Sequence, residues 1–172
     1  MSARNLAEGA TLLIISSIQS NIGSALDAVA AYFTGTGMGQ GVSLENPKEY
    51  FIHEQPQGYS LPAVFVLPDQ IDFAIDKNKS NFINAESKYR ISVLVEDQDL
   101  ERLTVKSWRY QSALHSVLDE TTMVTSDNAL QLKCSVLTAT FSPVWTNKAD
   151  GKDRSFRKEV VLECRVTHTE NF

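Results

Sequence analysis

The sequence is poor in the residues that build metal sites and disulfide frameworks, with two cysteines and three histidines in 172 residues. Cys134 and Cys164 stand in separate strand-like segments without CxxC spacing, so they read as small buried hydrophobes, the reduced pair favoured over a disulfide. His53, His115 and His168 fall in a loop, a helix and a strand pattern, and no two have metal-ligand spacing. His115 and His168 read as partly buried structural histidines. Serine is plentiful, but none sits in GxSxG. The expectation is a chain with no catalytic residue, no cofactor and no metal.

Positive charge is also scarce. A net charge of −5 and a pI near 5.2 argue against a general nucleic-acid binder, which needs a basic surface for phosphates. Long apolar runs are missing too. Thr11 to Ile15 is apolar, but Ser16, Ser17, Gln19, Ser20 and Asn21 end it well short of the roughly 20 residues of a membrane span. Glu8 dilutes the charge of Arg4 and no convincing cleavage site follows, so no signal peptide is expected. The expectation is a soluble, unexported chain, made in the cytoplasm and without membrane contact.

With 42% hydrophobic and 22% charged residues, the composition is globular, and the length fits one domain over 1–172. Within it, 3–33 is helical, 34–60 a connector and 61–169 an α+β core. From Ala3 to Phe33 there is no proline. Ile15, Ile18, Ile22, Leu26, Val29 and Phe33 form one stripe, as one bent helix or two shorter ones. Gly23 weakens it by about 1 kcal/mol against alanine. Gly35, Gly37, Gly39 and Gly41 follow a helix rather than a strand, and no Lys-Ser/Thr pair comes after them. They read as a helix stop and flexible connector, not a phosphate loop.

The best-patterned stretch is Tyr89 to Glu120. Tyr89, Ile91, Val93 and Val95 alternate with Arg90, Ser92 and Leu94, so one face of a strand is apolar. Leu103, Ser107, Tyr110, Leu114, Val117 and Leu118 then follow helical spacing. Pro62 to Pro68 reads as a short strand framed by prolines, and Asp69 to Lys88 as an extended hairpin or loop. Leu130, Leu132, Cys134 and Val136 alternate, after which the apolar phase slips to Leu137, Ala139 and Phe141. A β-bulge near Val136 and Leu137 accounts for the slip. Val160, Leu162, Cys164, Val166 and His168 make the last apolar face. The predicted fold is α+β: an antiparallel sheet of about four strands, two main helices on one face, and long inter-strand loops.

Glu96, Asp97, Asp99 and Glu101 form an acidic turn before the helix, where the helix dipole favours carboxylates and Asp97 or Asp99 can cap. Lys148, Lys152, Arg154, Arg157 and Lys158 outnumber Asp150 and Asp153, a local +3. That segment reads equally as a solvated hairpin tip or as a contact to nucleic acid or an acidic subunit surface. Trp108 lies off the helix stripe beside Arg109, a pairing enriched at binding hot spots. A broad core-facing side competes with that reading. Trp145 is the second informative tryptophan.

The order helix, connector, strand, long loop, strand, acidic turn, helix, strand, long hairpin, strand resembles the tail-terminator (tail-completion, head-tail joining) proteins of long-tailed bacteriophages. It is carried by PAVFVLP, YRISVLVE, WRYQSALHSVLDE, LQLKCSVLTATF and EVVLECRVTH, over about Ala3 to Thr169. The Gly35–Gly41 linker and the Asp69–Lys88 loop depart from that pattern. The resemblance implies a ring, usually a homo-hexamer, that caps the tail tube, ends its polymerisation and meets the head's connector or stopper protein. It implies a virion location at the head-proximal end of the tail, assembly in the host cytoplasm, and a channel that passes DNA without reading its sequence. Glu96 to Glu101 and Lys148 to Lys158 would then meet across neighbouring subunits. Another neck or tail-tube component, or a small cytoplasmic ligand-binding or enzymatic α+β domain, remains the alternative.

Overall fold

The computed structural model describes residues 6–33, 41–54, 56–75, 82–147 and 155–171. Helix α1 (Leu6–Phe33) is followed by β1 (Glu49–Phe51), β2 (Ala63–Ile75) and β3 (Phe82–Asp97). Helix α2 (Leu100–Leu118) leads into β4 (Thr121–Val124), β5 (Leu130–Phe141), β6 (Trp145–Asn147) and β7 (Ser155–Asn171).

The sheet corrects the expected architecture. It has seven strands in the order β1-β2-β3-β7-β5-β4, with β6 also on β7, and it curls into a half-barrel. It is mixed, because β1 runs parallel to β2 while the other pairs are antiparallel. Strands β1, β4 and β6 have three or four residues each, too few for alternation to show in the sequence. For Asp69 to Lys88 the extended-hairpin alternative is the one the structure bears out. Its outer parts belong to β2 and β3, while 76–81 lie outside the described residues. The stretch from Ser142 to Lys158, between the last two alternating segments, contains β6 and the start of β7. The Gly35–Gly41 segment is described only at Gly41.

Both helices pack on one face of the sheet. Tyr89, Ile91, Val93 and Val95 of β3 and Val160, Leu162, Cys164 and Val166 of β7 point toward them and are buried. Each such aliphatic side chain contributes roughly 1.5–3 kcal/mol by leaving water. α1 is one continuous helix through Gly23, and its buried stripe is Leu6, Ala10, Ile14, Ile18, Ile22 and Leu26. Ile15 and Val29, placed on the stripe by sequence, sit at its half-buried margin. By length and composition alone α1 is long and apolar enough to cross a membrane. Its most apolar residues here form the core under the sheet, and Thr11 hydrogen-bonds the Tyr89 hydroxyl at 3.2 Å.

Gly23 has a packing reason. A Cβ there would meet Asn46 Oδ1 at 3.2 Å, so glycine lets the connector lie close to α1. That connector is held in place by Tyr110, whose hydroxyl donates to the Glu45 carbonyl, and by Lys48 N–H donating to Pro62 O at 2.8 Å. The β5 bulge falls where the apolar phase slips. Val136 pairs with Cys164 and Thr138 with Glu163, leaving Leu137 as the extra residue. Ala139 and Phe141 are thereby returned to the helix-side face, opposite Leu162 and Val160.

Candidate subunit interface

At the C-terminal end of β3 the acidic turn is largely consumed by its own chain. Glu96 and Arg157 are register partners on β3 and β7 and form an ion pair. Asp97 receives Lys106 and Arg102, each at 3.0 Å, and the N–H of Asp99. Burial pushes the Asp97 carboxyl up, but these hydrogen bonds and the Lys106 charge outweigh it and leave it below the usual range. Asp99 is the N-cap of α2, accepting the Arg102 N–H at 2.8 Å. Only Glu101, exposed in the first helical turn, has no structural task among these contacts.

The basic stretch divides in two. Arg157 is committed to Glu96, and Lys158 lies 6.0 Å from the Phe141 ring centroid. Lys148, Lys152 and Arg154 lie outside the described residues. The two charged segments therefore meet inside one chain at Glu96–Arg157, for the simple reason that β3 and β7 are neighbours.

Trp108 and Arg109 part company. Trp108 is 45% exposed on the outer side of α2, whereas Arg109 is buried, its guanidinium 5.6 Å from the Phe33 ring centroid. Arg109 thus helps join α2 to the end of α1, and Trp108 alone faces solvent.

Sequence reasoning missed an apolar rim. β4 covers β5 only along 131–134, and β6 continues beside β7 beyond β5. Along this edge Leu137, Phe141, Val144 and Trp145 are 39–48% exposed. On the other side of the sheet, β1 covers β2 only along 63–65. Pro68 with a register shift before Gln70 interrupts that edge, and the Leu137 bulge with Pro143 interrupts the first. Proline and bulges are the usual protection against continued strand pairing. The apolar slip at Leu137 was the visible signal of this rim. Its exposure depends on where β4 stops, which the pattern did not show.

The face of the sheet away from the helices is mostly polar. Arg90 lies 3.7 Å from Glu159 and Arg165 3.5 Å from Glu86, exposed pairs each contributing about 0–1 kcal/mol. At one end an aromatic cluster replaces the charges. Phe51, Tyr59 and Phe65 stack with centroids 5.3–6.2 Å apart, beside Leu61 and Leu94.

One pair has the look of catalysis without its access. Ser87 Oγ hydrogen-bonds His168 Nε2, and each residue is 1% exposed within the sheet–helix core. Among the described residues no carboxylate orients the imidazole and its Nδ1 has no hydrogen-bond partner, and burial lowers its pKa to about 4. A substrate cannot reach this serine without opening the core, so the pair reads as structural. His115 is half exposed, 3.8 Å from Asp119, and His53 packs edge-on to Phe51. Among the described residues no three His, Cys, Asp or Glu side chains group as a metal site.

No family model and no curated protein matches the chain. Among solved structures, a chain of the "Virion of native gene transfer agent (GTA) particle" is similar at 16% identity and a TM-score of 0.32. The match covers 90% of this chain and 97% of that one. A TM-score at that level assigns neither fold nor role.

Proposed function

We propose that this chain is a structural virion protein: a tail terminator that assembles head-to-tail into a closed ring, most simply of six copies, and performs no catalysis. The observation that carries the reading is the pair of unlike open sides of the sheet. One presents the apolar rim of Leu137, Phe141, Val144 and Trp145, and the other the outer part of β2. A heterologous contact needs two different surfaces on each subunit, and it forms a ring where the rotation closes. The order of the long elements, α1, β2, β3, α2, β5 and β7, resembles that of tail-completion proteins and supports the same reading. The proline and bulge on each edge favour side-chain contacts over continued strand pairing, which suits a ring that stops growth.

In this proposal the axial faces meet the tail tube on one side and the head's connector or stopper on the other. DNA passes through the central channel without sequence-specific contact. The purified chain should sediment as a discrete species of over about 100 kDa, with a central hole in negative stain. Open-ended tubes would move the assignment to a tube component. A monomer at all concentrations would overturn ring assembly.

A further inference from the structure

The open face of the sheet carries a trough that follows β3 from Lys88 to Leu94, about 20 Å at the rise of an extended strand. It joins two clefts, of about 300 and 370 Å³, which share Glu54, Leu67 and Arg90 as lining. Its lining mixes polar groups with apolar and aromatic ones, the latter being Tyr59, Phe65, Leu94 and Trp145 at one end and Leu137 at the other. Four carboxylates line it, from Glu54, Asp69, Glu159 and Glu163, against the cations of Lys88 and Arg90.

Those charges are not equally available. Glu159 receives Ser92 at 2.7 Å and lies beside Arg90, and Glu163 receives the Thr138 hydroxyl at 3.3 Å. Glu54, Asp69 and Lys88 are exposed and take part in none of the ion pairs among the described residues, which leaves two carboxylates against one cation. The trough therefore has aromatic surface, a partly exposed tryptophan and uncommitted negative charge, the combination that attracts a Lys or Arg side chain.

The chain supplies a segment of the complementary chemistry. Of the basic stretch, Arg157 is committed to Glu96 and Lys158 to the Phe141 ring. Lys148, Lys152 and Arg154 lie outside the described residues, with Asp150 and Asp153 between them, so that the segment carries a net +1. Of the acidic turn, Glu96, Asp97 and Asp99 are occupied by their own chain, which leaves it only Glu101 to offer a partner.

We infer that the trough receives the basic segment Lys148–Arg154 of a second copy of this chain. The inference rests on the ring reading for its setting, and names the contact that closes the ring. The segment's lysines and arginine pair with Glu54 and Asp69, and one cation lies against the face of Trp145. Because the rim is exposed, the contact weakens as salt rises.

Charge-swap variants of the full chain test it. Lys148→Glu/Lys152→Glu/Arg154→Glu and, separately, Glu54→Lys/Asp69→Lys should each weaken self-association at least tenfold by sedimentation, with far-UV circular dichroism and thermal midpoint unchanged. All five substitutions in one chain should restore it. Rings that persist in the triple variant overturn the inference while leaving the ring reading intact. A monomeric wild type overturns the ring reading instead, and a labelled peptide of residues 147–154 then decides the contact. Saturable binding lost on Glu54→Lys/Asp69→Lys supports the trough, and no binding to the wild type overturns it.

Discussion

Arg157 and Glu96 face each other across β7 and β3 and form an ion pair inside one chain. Their side chains retain 23% and 32% exposure, so the pair is only partly desolvated. Arg157→Glu should therefore cost the monomer about 1–2 kcal/mol, between the values typical of exposed and buried pairs. The double variant Glu96→Arg/Arg157→Glu should recover most of the loss in urea denaturation. A single variant as stable as wild type would show that the pair does not hold the two strand ends. It also follows that charge reversal at Arg157 confounds assembly with folding, and that Lys148, Lys152 and Arg154 are the cleaner probes of association.

His168 makes stability depend on pH. Burial lowers its pKa from 6.5 to about 4, so the folded state prefers the neutral ring. The unfolded chain binds the proton first as pH falls. This contribution is complete above about pH 6.5 and is lost between there and about pH 4, at up to roughly 1.4 kcal/mol per pH unit. His168→Gln, which keeps a neutral hydrogen-bonding group for Ser87, should flatten the denaturation free energy over that interval. An unchanged slope would assign the acid sensitivity to other groups.

Cys134 and Cys164 should be silent until the core opens. Both thiols are free and buried on neighbouring strands β5 and β7. The hydrogen bond with Cys134, then burial, raises the Cys164 pKa far above the ordinary thiol value. Since the thiolate is the reactive form, a thiol-reactive chromophore should label neither cysteine in native buffer over minutes and both at once in denaturant. Rapid native labelling would contradict the sheet pairing.

Gly23 offers a gain. Its replacement by alanine adds about 1 kcal/mol of helix propensity in the interior of α1. The opposing contact is with Asn46, whose exposed side chain, 3.2 Å from the new Cβ, can swing aside. Gly23→Ala should raise the thermal midpoint by about 2–4 °C. A fall would mean that Asn46 is held in place by the connector.

Much of the fold was legible because periodicity records burial directly. Tyr89 to Val95, the α2 stripe and the β7 face each alternate or recur as their packing demands. The Leu137 bulge was legible for the same reason, since only an extra residue keeps Ala139 and Phe141 on the face of Leu132 and Cys134. The sequence narrowed the N-cap to Asp97 or Asp99, carboxylates at the start of a helix, and the structure puts it at Asp99. The α1 phase was read one residue off at Ile15, because Ile14 and Ile15 are equally apolar and only contact with the sheet separates them.

The sequence by itself determined the order of the long elements and, for β3, α2 and β7, the main apolar face of each, because those depend on residues near in the chain. Only the tertiary structure decided the sheet's seven strands, its parallel edge and which charges are spent. Strands of three or four residues have no period to read, and a pairing such as Glu96 with Arg157 joins residues 61 apart. The surface left for a partner is what remains after such pairings form, so the apolar rim and the trough emerged only once the strands were in register.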